Sequence, residues 1–123
     1  AGASASSGNL GPKAGGAGTA SSISGSSVTY AGGGGSTSFN LGSQGFGAGG
    51  AGGGGSNSAG TANTGGGAGG GNNSNGHAGG SGIVIIRYSD TYPAATSTTG
   101  SPTITVAGGY RVYNWTGSGS ITI

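Results

Sequence analysis

The sequence predicts an all-β protein with an irregular glycine-rich region and essentially no α-helix. Glycine supplies 36 of the 123 residues, and the large apolar side chains near the C-terminus come in short β-branched and aromatic runs. No segment has helical apolar periodicity, and glycine costs about 1 kcal/mol per residue relative to alanine inside a helix. We therefore expect polyglycine-II- or polyproline-II-like helices joined to a small antiparallel β meander.

Composition changes sharply after Gly82. Residues 1–82 hold 31 glycines and 7 of the 21 large apolar residues, whereas residues 83–123 hold 5 glycines and the other 14. We therefore predict two regions, a glycine-rich region over 1–82 and a β-rich C-terminal segment over 83–123.

The glycine-rich region begins with one weak strand, expected over Ser21–Tyr30, and continues into glycine tracts. A polyproline-II helix has three residues per turn, so glycines spaced three apart line one face and let another backbone approach closely. Positions 67, 70, 76, 79 and 82 are all glycine, with Asn73 interrupting the phase. A flexible glycine-serine spacer is the alternative. A spacer needs no large apolar side chains, however, and this region contains Phe39, Leu41 and Phe46.

Polar segments separate the glycine tracts, and we expect them to form exposed loops. These segments are Ser36–Gln44, Ser56–Thr64 and Asn72–His77. The arrangement predicts short glycine helices joined by loops that are available to a partner.

The C-terminal segment predicts four strands. Ile83–Tyr88 is apolar at four successive positions, which suits a strand covered on both faces. Thr103–Val106 alternates, and Gly108 with Gly109 turns the chain into Tyr110–Trp115. Ser120–Ile123 returns as the last strand, which makes a meander the simplest arrangement. Pro93 and Pro102 flank a Ser/Thr-rich connection and argue against strand there.

Charge and residue chemistry narrow the classes of function. The only charged residues are Lys13, Arg87, Arg111 and Asp90, too few and too scattered to neutralise a run of phosphates, so we expect no nucleic-acid binding. The longest apolar run, Ile83–Ile86, is far short of the ~20 residues of a membrane span, so we expect no membrane insertion.

Catalytic and cofactor chemistry is also unexpected. One histidine, one acidic residue and no cysteine provide neither a metal-ligand set nor a carboxylate pair. The glycine runs lack the strand, helix and Lys-Ser/Thr pair of a phosphate-binding loop. We predict a non-enzymatic protein without cofactors. Tyr92, Tyr110, Tyr113 and Trp115 either form a platform for stacking sugars or pack within their own sheet.

Three strings give the chain a family resemblance: Ser27–Gly35, Gly60–Gly67 and, most specifically, Gly79–Tyr88. They resemble the glycine-rich C-terminal domains of bacteriophage tail-fibre and adhesin proteins, and residues 96–123 look like the ending that follows them. The resemblance implies layers of polyglycine-II helices whose loops contact a receptor or glycan on the host surface. It also implies an extracellular or virion-surface location.

Two functional hypotheses follow. In the first, the chain is a structural and adhesive module, and the loop residues that contact the receptor are Phe39, Asn40, Gln44, Asn57, Asn63, Asn73, Asn75 and His77. In the second, it is a self-assembling extracellular filament subunit whose strands pair between copies, because low charge and uncapped strand edges favour self-association. The strand residues expected to associate are Ile83, Ile85, Tyr88, Ile121 and Ile123.

Overall fold

The computed structural model describes residues 11–40, 43–71 and 76–123. These ranges contain nine β-strands and no α-helix, which confirms the all-β class. The strands are β1 (Thr19–Ser21), β2 (Val28–Tyr30), β3 (Thr37–Asn40), β4 (Ser43–Phe46), β5 (Val84–Ser89), β6 (Ser97–Thr99), β7 (Thr103–Ala107), β8 (Tyr110–Trp115) and β9 (Ser120–Thr122). The chain forms two compact units. The glycine unit comprises residues up to Ala20 with Thr29–Gly82, and the sheet unit comprises Ser21–Val28 with Ile83–Ile123.

Backbone hydrogen bonds join the glycine tracts side by side and recur every three residues. The N–H groups of Gly67 and Gly70 donate to the carbonyls of Gly32 and Gly35, both at 2.8 Å. The carbonyl position advances with the donor, so these two tracts run parallel. Further bonds of this spacing join Gly15 to Ala48, Gly18 to Ala51, Gly32 to Gly52 and Gly35 to Gly55. The predicted polyglycine-II-like helices are therefore present.

Other tracts run antiparallel with the same spacing. Gly33 donates to Gly16, and Ser36, three residues later, donates to Lys13, three residues earlier, both at 2.8 Å. Polyglycine-II helices accept neighbours of either direction because their backbone groups point outward around the axis. The described tracts are thus hydrogen-bonded to one another and do not form a free spacer.

Backbone fills the interior of the glycine unit. The buried glycines are Gly32, Gly35, Gly47, Gly55, Gly66 and Gly69. A Cβ atom at Gly34 would overlap the carbonyl of Ala68. Only glycine permits so close an approach of two backbones, which explains its abundance in this region.

Two segments of the glycine-rich region differ from the sequence prediction. Ser21–Tyr30 is not one weak strand, because the chain turns inside it: Gly25 has a φ of 102°, and its N–H donates to Ser22 O at 3.0 Å. The flanking strands β1 and β2 pair with each other. Ser36–Gln44, expected as a loop, instead lies mostly in the β3–β4 hairpin, where Thr37 is opposite Phe46.

The sheet unit contains a three-stranded antiparallel sheet in the order β5-β8-β7. Gly108 and Gly109, with φ of 59° and 80°, form the predicted turn, since a two-residue type I′ turn needs positive φ at both positions. Strand β5 pairs along the other side of β8. The order therefore departs from the simplest meander, in which neighbouring strands follow one another along the chain.

Two strand predictions in the sheet unit need correction. Val84 is 58% exposed while the rest of β5 is partly buried, so the predicted cover on both faces fails at the first residue of the strand. The Ser/Thr-rich connection, expected to lack strand, contains β6, which pairs with β9. Pro93 and Pro102 lie outside the three residues of β6, so neither removes an N–H from that short ladder.

Candidate functional site

A stacked row of aromatic rings forms the core of the sheet unit. The Tyr88 and Tyr113 ring centroids are 5.8 Å apart with an interplanar angle of 22°, and Tyr113 and Trp115 are 5.9 Å apart at 17°. Tyr113 is opposite Ile86 in the β5–β8 register. Since side chains alternate between the two faces of a sheet, all three rings lie on one face.

Polar atoms of the row are hydrogen-bonded to residues 93–99, the segment that ends in β6. The Ala95 N–H donates to Tyr113 Oη at 2.9 Å, the Tyr88 hydroxyl donates to Pro93 O at 3.2 Å, and Trp115 Nε1 donates to Thr99 O at 2.9 Å. The Tyr88 and Tyr113 hydroxyls are 3.1 Å apart. Tyr113 and Trp115, the two most buried rings, thus use their polar atoms in hydrogen bonds within the fold.

Burial therefore excludes Tyr113 and Trp115 from a platform for stacking sugars. Tyr113 and Trp115 are 1% and 4% exposed, so neither presents a free face to a ligand. Tyr110 is exposed, but the Arg87 guanidinium lies 3.5 Å from its ring centroid, and Arg87 Nη1 donates to Ser22 O. Tyr92, 65% exposed, is the most open of the four rings.

The two phenols of the row have pKa values shifted in opposite directions. Burial raises the pKa of Tyr88, and its hydrogen bond with Tyr113 raises it further. Burial also acts to raise the pKa of Tyr113, but the hydrogen bonds with Tyr88 and the Ala95 N–H, with the Arg111 charge, lower it overall. The surrounding groups therefore favour the deprotonated form of Tyr113 more than that of Tyr88.

Removing the Tyr113 hydroxyl tests how much its hydrogen bond with the Ala95 N–H stabilises the fold. Tyr113→Phe leaves the Ala95 N–H without its partner, and we expect the free energy of unfolding to fall by about 1–3 kcal/mol. Tyr92→Phe, the matched removal of an exposed hydroxyl, should change it by less than about 0.5 kcal/mol. Chemical denaturation followed by Trp115 fluorescence measures both; equal effects would mean that the Tyr113 bond contributes nothing.

Two of the clefts on the sheet unit are lined in part by the aromatic row. One, of about 320 Å³, is lined by Val84, Ile86, Trp115 and Ile121 together with residues 117–120. The other, of about 490 Å³, has Ile86, Tyr92, Pro93 and Ile123 among its lining residues. Both are chiefly apolar. Pockets of this size hold small ligands when a few polar groups fix the ligand, and the second cleft has the charged side chain of Arg87 in its lining.

Some predicted receptor-contact residues lie together in the glycine unit. His77 Nε2 is 3.4 Å from Asn57 Oδ1. The Asn63 N–H donates to Ser81 Oγ at 2.9 Å, and Ser81 Oγ donates to Asn63 Oδ1 at 3.1 Å. The Ser56–Thr64 loop is thus bonded to the tract that follows residue 76.

The remaining predicted contact residues occupy other places. Phe39, Asn40 and Gln44 belong to the β3–β4 hairpin. Asn73 and Asn75 lie outside the described residues. The structure therefore brings Asn57 and His77 together and places the hairpin residues in a separate element of the same unit.

The strand residues expected to associate between copies differ in exposure. Ile83, Ile85, Tyr88 and Ile121 are partly buried, whereas Ile123 is exposed. Sequence reasoning omitted β7 from this set, although Ile104 and Val106 are 50% and 52% exposed and every residue of β7 is exposed. The uncharged alternation Thr-Ile-Thr-Val was the available signal for an open edge.

Within residues 11–40, 43–71 and 76–123, no group of three or more His, Cys, Asp or Glu side chains lies close enough to hold a metal ion. In the same ranges, none of the structure is a helix with the length and apolar character needed to span a bilayer.

Comparison with known proteins gives one match. A family model described as a glycine-rich domain matches residues 1–89. Neither the curated proteins nor the solved structures contain a match. The family model covers more than half of the chain, including the glycine tracts and all of β5, and the chain therefore belongs to the glycine-rich domain family.

Proposed function

We propose that the chain is a non-enzymatic structural and adhesive module of the tail-fibre type, acting at an extracellular or virion surface. The observation that carries the proposal is the glycine lattice, in which tracts bond backbone to backbone at three-residue intervals. Such an interior needs few apolar side chains, so polar loop residues remain available at the surface. This arrangement suits a scaffold that presents loops better than one that encloses a reaction.

The geometry of the Ser56–Thr64 loop supports a presenting role. Asn57 and Asn63 have φ of 46° and 60°, a left-handed conformation that asparagine tolerates better than most residues. Hydrogen bonds to His77 and Ser81 hold both amides. Side chains held in one orientation lose less conformational entropy on binding than free ones do.

Binding to intact bacterial cells tests the proposal. A fluorescently labelled chain is titrated against a panel of bacterial strains in flow cytometry, and we expect saturable binding to at least one strain. The double variant Asn57→Gly with His77→Ala should reduce that binding about tenfold or more, the loss of roughly 1.4 kcal/mol. Glycine at position 57 tolerates the left-handed backbone and removes the side chain with its amide.

Thr116→Ala, an exposed change in the sheet unit, is the matched control and should bind as the original chain does. Absence of saturable binding across the panel would count against the adhesive role. Equal loss in the double variant and the control would count against these loops as the contact.

Open strand edges favour the filament subunit as a second candidate. Strands β5 and β7 are the two edges of the three-stranded sheet, and exposed edges template further strands. Electron microscopy over a range of concentrations separates the two: filaments that lengthen with concentration favour the subunit, and particles of fixed size favour the adhesive module.

A further inference from the structure

We propose that the outer edge of β7 pairs antiparallel with the same strand of a second copy of this chain, around a two-fold axis at Thr105. The inference concerns the sheet unit alone and does not depend on the adhesive role. Its basis is the direction of the backbone groups of β7, the pattern of its side chains and its lack of charge.

One backbone hydrogen bond fixes the direction of the backbone groups. The Asp90 N–H donates to Gly109 O at 3.1 Å, one step beyond the Ser89–Tyr110 pair of the β5–β8 ladder. Hydrogen-bonded and non-hydrogen-bonded pairs alternate along an antiparallel ladder. Arg111, Tyr113 and Trp115 therefore direct their backbone groups toward β5, and the other three residues of β8 direct theirs toward β7.

The outward groups of β7 follow from the same alternation. Val112 is opposite Thr105, and Tyr113 is opposite Ile104. Thr103, Thr105 and Ala107 therefore bond to β8. Ile104 and Val106 direct their N–H and C=O groups away from the sheet, where no described strand pairs with them. An extended strand is the partner that satisfies such a row of alternating donors and acceptors.

Among extended strands, β7 itself is a matching partner. Antiparallel pairing centred on Thr105 places Ile104 of one copy opposite Val106 of the other, and the reverse. Both are outward-directed residues, so each of these two pairs exchanges two hydrogen bonds, four in all. Their side chains fall on the same face, where apolar cross-strand pairs stabilise a sheet. A surface that matches itself in this way gives a closed two-fold dimer.

Nothing on the strand opposes this pairing. Protected edges usually carry lysine, proline or an inward-pointing charge, whereas the five residues Thr103–Ala107 are uncharged. Strand β5, the other edge, is partly buried over most of its length and contains Arg87. The β7 edge is therefore the better site for a second copy.

The size of the contact sets the expected affinity. Five residues of strand are about 17 Å long, so the contact buries less than the ~800 Å² per partner of a standard interface. We expect a weak reversible dimer, with a dissociation constant in the micromolar to millimolar range. Pro102 precedes the strand and the Gly108–Gly109 turn follows it, which confines the pairing to these residues.

Sedimentation velocity from about 10 μM to about 1 mM tests the inference on the whole chain. The expected result is a monomer–dimer equilibrium with no larger species. Thr105→Lys and Thr105→Glu each place like charges opposite one another across the two-fold axis, and each should weaken the dimer at least tenfold. An equimolar mixture of the two variants should dimerise again, because opposite charges then meet.

Near-UV circular dichroism of the aromatic row verifies that both variants remain folded. A chain that stays monomeric throughout the range would overturn the inference, as would polymers larger than a dimer. Variants that dimerise as strongly as the original chain, or a mixture that fails to dimerise when both are folded, would also overturn it.

Discussion

Gly34→Ala should disrupt the glycine unit and lower its free energy of unfolding by about 3 kcal/mol or more, the upper range for overpacking a close-packed interior. The added methyl group would overlap the carbonyl oxygen of Ala68, with the Gly69 nitrogen also within 3 Å. Neither neighbour is a side chain that can rotate away. Two hydrogen-bonded backbones would have to separate, so the cost extends beyond one site.

Gly79→Ala is the matched control in the same unit. Its Cβ would meet only Gly66 O, at 3.6 Å, which is an ordinary van der Waals distance. Alanine restricts the unfolded chain more than glycine does, so this variant should be neutral or more stable by about 0.4–1 kcal/mol. Hydrogen exchange at Gly33, Gly50 and Gly67, whose amides bond between tracts, measures both variants.

The two outcomes distinguish a packed lattice from a glycine-rich segment without fixed contacts. Rapid exchange at those amides in Gly34→Ala, with protection kept in Gly79→Ala, would show that glycine is required position by position. Equal protection in both variants would mean that the tracts do not pack as closely as the structure has them.

The glycine tracts were predictable from sequence because their three-residue phase follows from backbone geometry alone. The phase predicted that Gly67 and Gly70 lie on one face, and both donate to the same neighbouring tract. Contacts between residues distant in sequence decide which tracts become neighbours and whether they run parallel or antiparallel. Periodicity within one segment carries no information about either.

Strand pairing was predictable only where a turn fixes it. Gly108 and Gly109 gave the β7–β8 hairpin because a two-residue turn sets its own register. No turn identifies β6 as the partner of β9. Strand β6 is a short Ser/Thr segment without apolar alternation, and its pairing depends on long-range contacts. The exposure of Val84 was missed because an apolar run is typical of buried strands and says nothing about position at a sheet edge.

The candidate sites were predictable only where a local sequence pattern identified them. Asparagine and glycine between tracts indicated a loop at Ser56–Thr64, which the structure has. The approach of His77 to Asn57 joins residues 20 positions apart and had no sequence signal. Aromatic residues on strands indicated either a platform or a core, and burial of Tyr113 and Trp115 decided that both belong to the core.

Trp115→Ala should lower the free energy of unfolding of the sheet unit by about 3–5 kcal/mol. The ring is 4% exposed, stacks on Tyr113 and donates to Thr99 O, so truncation removes apolar burial and leaves a cavity and a carbonyl without its donor. Val112 and Tyr113 are the other buried apolar residues described, and a core this small has few contacts to replace the loss.

Two control variants divide that loss into its causes. Tyr92→Ala removes an aromatic ring that is 65% exposed and should change the free energy of unfolding by less than about 1 kcal/mol. Trp115→Phe keeps most of the apolar volume but removes the indole N–H, so its loss should be intermediate, about 1–3 kcal/mol. Because the chain has a single tryptophan, hydrogen exchange at the β8 amides is the suitable measurement. If Trp115→Ala cost no more than Tyr92→Ala, the aromatic row would not be the core that stabilises this unit, since the burial of Trp115 is what distinguishes the two positions.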